Sequence, residues 1–392
     1  MIEVTSTVLP GLNLPDWTTT LVILLVSLGF VIAIMLAWAF DIGPDGLQRT
    51  PAKTTQTPVA EPSMTDEAIG TLQDSPANSM DAGKRKSIAV LPFVNMSGDA
   101  ENEYFSDGIS EEILNLLVKL PQLKVASRTS AFIFKGKEAS IPTVARELGV
   151  DTVLEGSVRR AGDRVRITAQ LIEAVSDSHL WSETYDREMD DVFAIQDEIA
   201  QNILNALEVT LSPQERRAIQ YVATSNAQAF DFYLRGKSFM YTMTRRDYEH
   251  AIRMFEQAID VDAKFALAYA GIADAYSHLY RYADASNENV RKSVEASEKA
   301  IALDSDAAEP HASRGLSLFI SGQFEAAKQE FELAIKLNPN LFDAYYYYGL
   351  ACSSNSDFEN AEKMYLKAME VNPADYQSPL FLAQAYTSMG RK

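Results

Sequence analysis

Leu21 to Phe40 reads LVILLVSLGFVIAIMLAWAF, a run without a single charged residue. At about 1.5 Å per helical residue such a run is roughly 30 Å long, the thickness of a bilayer's hydrocarbon core, so the pattern predicts one transmembrane helix over 21–40 behind a short tail, 1–20. Trp17 and Trp38 stand near its two ends, where indole rings prefer the headgroup level. A cleaved signal peptide needs a basic start, whereas residues 1–20 hold Glu3 and Asp16 but no Lys or Arg. From 41 to 85 the chain is rich in Pro, Thr, Ser, Ala and Gln. That composition buries too little apolar area to offset chain entropy, and a flexible linker is expected.

From 86 to 212 short apolar runs alternate with helical periodicity. Ser87 to Phe93 is a buried-strand pattern ended by Asn95-Met-Ser-Gly-Asp99; Ile109, Ile113, Leu116, Leu117 and Leu120 then repeat at helical spacing behind Asp107, a plausible N-cap, until Pro121. Leu123 to Ser127 is a second strand, Pro142 opens a helix that Gly149 closes, and Thr152 to Leu154 starts a third strand. Val165, Ile167, Ala169 and Leu171 alternate with polar residues after an Arg159–Arg164 turn, predicting a hairpin. Leu180 to Tyr185 adds another strand, and Val192 to Leu207 is a closing amphipathic helix. The expected fold class is an α/β domain with a mixed sheet and flanking helices.

SIAVLPFVNMSGDAENEYFSDGISEEI, ELGVDTVLEGSVRRAGDRVRITAQLIEA and HLWSETYDRE together resemble the TolB amino-terminal-type domain that precedes tetratricopeptide repeats in bacterial membrane regulators. The likeness covers nearly all of 86–212. It implies an association role and brings no catalytic residues with it.

A fixed period governs the chain after 226. Ala327, Phe331, Ala334 and Pro339 recur 34 residues later as Ala361, Tyr365, Ala368 and Pro373, and Gly315 recurs as Gly349. Small residues that let paired helices approach, an aromatic wedge between hairpins and a terminating proline are tetratricopeptide positions. An all-α solenoid of about four repeats plus a partial fifth is expected over 226–392, with 308–341 and 342–375 regular and an insertion, Arg281 to Asn289, looping out of the second unit.

The first helices of such an array line a concave groove. By register the protein-binding candidates are Asp274, Leu316, Phe319, Tyr346 and Leu350, a set that suits an apolar or aromatic segment and lacks the Lys and Asn with which family members clamp a peptide carboxylate.

Composition narrows the chemistry. The net charge of −19 repels a phosphate backbone, so no nucleic-acid partner is expected. One cysteine and four histidines supply neither a disulfide nor a soft-metal cage, and no phosphate-binding glycine loop occurs, so no catalytic, cofactor-binding or metal-binding residue is assigned. Glu111 and Glu112 read as surface charges, Arg159, Arg160, Arg164 and Arg166 as the solvated face of a strand, and Cys352 as a buried packing thiol.

The expectation is a non-enzymatic scaffold in signalling or assembly, held in the inner membrane by 21–40, that binds a protein or peptide partner in the repeat groove. Oligomeric state stays open. Arg49, Lys53 and Lys84 to Lys86 follow the span and nothing basic precedes it, which places the soluble part in the cytoplasm, with a periplasmic placement as the alternative. The alternative functions are a sensor whose α/β domain binds a small molecule and a non-catalytic relative of repeat-containing cyclases or transcription regulators.

Overall fold

The computed structural model describes residues 40–43, 46–49, 86–219, 223–373 and 375–390. The expected span over 21–40 lies outside the described residues apart from Phe40, as do the tail and most of the linker; among the described residues no helix is long and apolar enough to cross a membrane. Phe40 is not helical. Strands β1 (Phe40–Gly43) and β2 (Gly46–Arg49) pair antiparallel, so part of the expected linker carries regular structure. Pro44-Asp45, turn-forming residue types, separate them in sequence.

Residues 80–392 form one compact unit. Its sheet comprises β3 (Lys86–Val90), β4 (Val94–Asn95), β5 (Leu123–Val125), β6 (Thr152–Ala161), β7 (Arg164–Glu173) and β8 (Ser178–Glu188), in the order β5-β3-β6-β7-β8 with β4 also beside β6. β3 runs parallel to β5 and β6, while β6-β7-β8 are antiparallel, as the sequence pattern predicts. Gly162, at φ 60°, takes the first central position of the β6–β7 turn, where a two-residue II′ hairpin needs glycine. The inward residues Val165, Ile167, Ala169 and Leu171 are fully buried under helices α1 (Glu103–Val118) and α4 (Val192–Ala206). Among the described residues the opposite face is covered at its parallel half, by α2 (Arg128–Phe132) and α3 (Ile141–Leu148).

Helix α1 starts a turn earlier than expected. Asp99 accepts a 2.8 Å bond from the Glu101 amide and starts a 3₁₀ turn that leads into Glu103. Asp107 is therefore inside the helix, and its carboxylate meets Lys135 Nζ at 2.6 Å.

Short α5 (Pro213–Ile219) leads to paired helices α6 (Ala227–Met240) and α7 (Arg245–Val261), α8 (Ala266–Tyr282) and α9 (Asn287–Leu303), α10 (Ala308–Ile320) and α11 (Phe324–Leu337), α12 (Phe342–Ser354) and α13 (Phe358–Val371), and a single α14 (Gln377–Ser388). Glycines set the helix spacing: a methyl on Gly315 would come within 2.5 Å of the Phe331 ring, and one on Gly349 within 2.6 Å of Tyr365. Both rings are fully buried and have nowhere to retreat. Gly315→Ala is thus expected to destabilise by about 1–2 kcal/mol, overpacking outweighing the gain in helix propensity, and urea unfolding followed by circular dichroism checks it.

The second unit departs from expectation. Its extra residues do not loop out; α8 runs on to Tyr282 and α9 begins at Asn287, capped by Ser286, so the insertion lengthens both helices. Helical continuation keeps the backbone groups paired, which an open loop would not.

Two features bind or divide the interior. Helix α1 packs so closely on α6 that a methyl on Gly108 would lie 2.7 Å from Leu234, and one apolar cluster runs from the sheet through α6 and α7 into α8. A second cluster fills the third and fourth units. Between them the repeat period places serines where later units have alanine and phenylalanine: Ser293 and Ser297 stand 34 residues before Ala327 and Phe331. Fully buried Ser293 Oγ lies 2.8 Å from Ser277 Oγ and 2.6 Å from Ser317 Oγ, a polar seam across the solenoid.

Candidate protein-binding groove

The concave side of the solenoid is not open on all sides. The first helices α6, α8, α10 and α12 face α1, the end of β5 and α2 across a cavity of about 1500 Å³. The chain itself builds the second wall. Ser127 Oγ donates to Asn372 Oδ1 at 2.6 Å, Asn372 Nδ2 to Thr129 Oγ1 at 3.1 Å, and Asn340 Nδ2 to the Val118 carbonyl at 2.8 Å, which hold the rim to the α/β part.

Glu111 is the hub of this contact, which corrects its reading as a surface charge: helix α1 packs onto the repeats, so its middle turns face inward. It is buried, and it accepts from Arg128 Nε at 2.8 Å and Tyr241 Oη at 2.5 Å with Lys237 Nζ 3.6 Å away. The Arg128 guanidinium stacks 3.7 Å above the Tyr241 ring. Burial alone would raise the Glu111 carboxyl, but Lys237, Arg128 and the Tyr241 hydroxyl outweigh it and hold it below its usual value.

Its neighbours are worse placed. Glu112 is pushed up to about 7 by burial and then by the Glu111 charge, and Asp274 to about 7 by burial and then by Asp343. Asp343 is raised too, by its enclosure between the cavity walls first, although its side chain keeps an exposed surface and Lys237 partly offsets the shift. Among the described residues Asp274 Oδ1 and the Tyr346 hydroxyl find no hydrogen-bond partner in good geometry. His278 stacks between Tyr248 and Tyr282 and lies 3.2 Å from the Tyr347 hydroxyl through Nε2; burial, aided by Arg281, lowers its pKa to about 3 and keeps it neutral.

The raised carboxylates give a stability profile with a definite sign. Folded Glu112 and Asp274 still hold protons between pH 6.5 and 8 whereas the unfolded chain does not, so stability falls as pH rises through 7. His278 opposes this only below its unfolded value of 6.5, whereas His311, raised overall against burial by its contacts with Glu330 and Ser305, adds to the fall. The charges facing the two carboxylates are Glu111, Lys119, Lys237, Glu309 and Asp343. A loss of about 1–2 kcal/mol between pH 6.5 and 8 is expected in urea unfolding, and a Glu112→Gln/Asp274→Asn chain should lose most of that slope.

Of the groove residues predicted from sequence, Asp274 and Tyr346 line the cavity. Leu316 and Leu350 are enclosed in the core of the third and fourth units, and Phe319 packs half-buried against the same cluster. Leu316 and Leu350 lie one or two turns beyond Glu309, Asp343 and Tyr347, which the earlier turns of α10 and α12 bring to the cavity. A signal was available, since Glu309 and Asp343 are acidic residues one 34-residue period apart. Cys352 is fully buried, and burial pushes its thiol up to about 12. Among the described residues no group of three or more His, Cys, Asp or Glu is placed to hold a metal ion.

Residues 308–341 and 342–375 match the tetratricopeptide-repeat family, and residues 84–203 match the second domain of HilA/YgeH-like transcriptional regulators. A protein of Rhizobium meliloti (strain 1021) described as "Putative adenylate cyclase 3" is 39% identical over 239 residues, 60% of this chain. The chain spans 40% of that relative's length. Among solved structures, a thermophilic TPR protein of Thermus thermophilus is 18% identical, covering 51% of this chain and 95% of its own, with a TM-score of 0.36. The MamA protein is 21% identical, covering 42% and 83%, with a TM-score of 0.31. The carboxyl-terminal array is thus a tetratricopeptide-repeat solenoid, an architecture that binds protein partners, beside a mixed-sheet domain.

Proposed function

We propose that this chain is a membrane-anchored scaffold that holds a segment of a partner protein between its repeats and its α/β part, and performs no chemistry of its own. The observation that carries this reading is the cavity of about 1500 Å³ on the concave side of the repeats, lined from both parts of the chain. The apolar stretch 21–40 is read as the anchor and the basic residues after it as the reason the soluble part is cytoplasmic. A signalling role draws on the names of the matched families and relative, a transcriptional regulator and a putative adenylate cyclase. The cyclase name also favours a second reading, in which the α/β and repeat parts form a regulatory module for a cyclase.

A photo-crosslinking amino acid placed at Tyr282, half-exposed on the cavity wall, tests the scaffold in cells. It should trap one discrete polypeptide, while the same group at Glu295 on α9 should not. Equal trapping at both positions, or none at Tyr282, counts against the groove. A periplasm-dependent reporter fused after Lys392 should stay silent, and strong activity would reverse the placement.

A further inference from the structure

Ten carboxylates line the cavity, among them Glu112, Asp274, Glu309 and Asp343, against four cationic side chains. Two of those four are already committed, because Arg128 and Lys237 both turn to Glu111. A third, Lys124, donates to the Gly149 carbonyl at 3.0 Å. Glu370 in turn pairs with Lys367, and Asp375 accepts from the Gln377 and Ser378 amides, but among the described residues the cavity still carries more negative than positive groups. A second observation points the same way. Tyr346 is only 4% exposed, yet among the described residues its hydroxyl finds no hydrogen-bond partner in good geometry, and Asp274 Oδ1 is equally unmet. Burying such groups without partners is costly, and a ligand rich in N–H donors would satisfy them.

Asp274, Glu309 and Asp343 sit on α8, α10 and α12, successive first helices of the array. They are not level along those helices: Asp274 lies three residues after Gly271, whereas Glu309 and Asp343 each lie six before Gly315 and Gly349, the glycines that meet the equivalent rings of Phe255, Phe331 and Tyr365. Tyr282, Tyr346 and Tyr347 line the same wall, and the Arg281 guanidinium lies 5.0 Å from the centre of the Tyr282 ring. We propose that the cavity takes a basic segment of the partner protein, whose lysine and arginine side chains meet Asp274, Glu309 and Asp343. This inference rests on the protein-binding reading above and replaces the apolar or aromatic segment that the sequence suggested. The charge that Glu112 and Asp274 resist at neutral pH is the charge such a segment would stabilise.

Fluorescence anisotropy on the full chain tests it with three labelled nonapeptides that carry lysine, glutamate or leucine at every third position and alanine and proline between. The lysine peptide should bind at least 10-fold tighter than the other two and weaken as salt is raised. An Asp274→Asn/Asp343→Asn chain, checked for folding by its thermal melt, should lose at least 10-fold of that affinity. If this chain does not fold, Glu309→Gln alone should still weaken binding several-fold. Equal binding of the leucine or glutamate peptide, or an unchanged affinity in the neutralised chains, overturns the basic specificity while leaving a protein-binding groove. Binding of none of the three also overturns it, and the Tyr282 crosslink then decides separately whether the groove binds protein at all.

Discussion

Replacing Glu111 with alanine is expected to cost about 3–5 kcal/mol, roughly 6–10 °C in melting temperature, because Arg128 and Lys237 would stay under the repeats without their counter-charge. The Tyr241 hydroxyl would lose its acceptor as well. Glu111→Gln keeps an acceptor oxygen and should lose less. Removing one of the stranded cations should recover part of the loss, so a Glu111→Ala/Lys237→Met chain is expected to melt above Glu111→Ala alone. Differential scanning calorimetry on the three chains decides the matter; a loss below about 1 kcal/mol for Glu111→Ala would mean that water enters the cavity freely enough to solvate both cations.

Asp231→Ala should have an effect of similar size by a different route. Asp231 on α6 accepts from the Tyr104 hydroxyl of α1 at 2.6 Å, pairs with Arg160 of β6, and meets Arg235 at 3.1 Å. Burial, then Asp231, pushes Tyr104 up to about 12, so the tyrosine remains a donor. Without the carboxylate a largely buried guanidinium is unpaired, at a cost of about 3–5 kcal/mol. The loss falls on the joint between the sheet and the repeats, so limited proteolysis of Asp231→Ala should cut faster between 207 and 226. Arg164→Ala is the contrasting case. Arg164 and Arg166 share the exposed Asp186 on the open face of the hairpin, and the change should leave the melting temperature essentially where it was.

That contrast shows what periodicity could and could not convey. Arg159, Arg160, Arg164 and Arg166 look alike in the sequence, and strand alternation assigns them all to solvent or core by neighbours on the same strand. Only Arg160 meets a residue 71 positions away, and nothing local announces Asp231. The strand order, the hairpin and the 34-residue repeat were legible because each is written in spacings of two, 3.6 or one whole repeat. The cavity was half legible. Asp274 and Tyr346 were found from the repeat register, but the turns that face it are chosen by α1, and the docking of α1 on α6 depends on a missing side chain, that of Gly108. Glu111 and Glu112 were misread for the same reason, since a helix with a second buried face carries carboxylates there only when partners arrive from elsewhere.

The serines shared by α8, α9 and α10 bear on how the molecule would yield to force. Three hydroxyls hydrogen-bonded to one another resist separation less per unit area than interlocked rings, and water can replace their bonds as they part. Pulled from its carboxyl end in an optical trap, the chain should therefore give way in two rips, the first releasing the segment from α10 onward and the second the remainder together with the sheet.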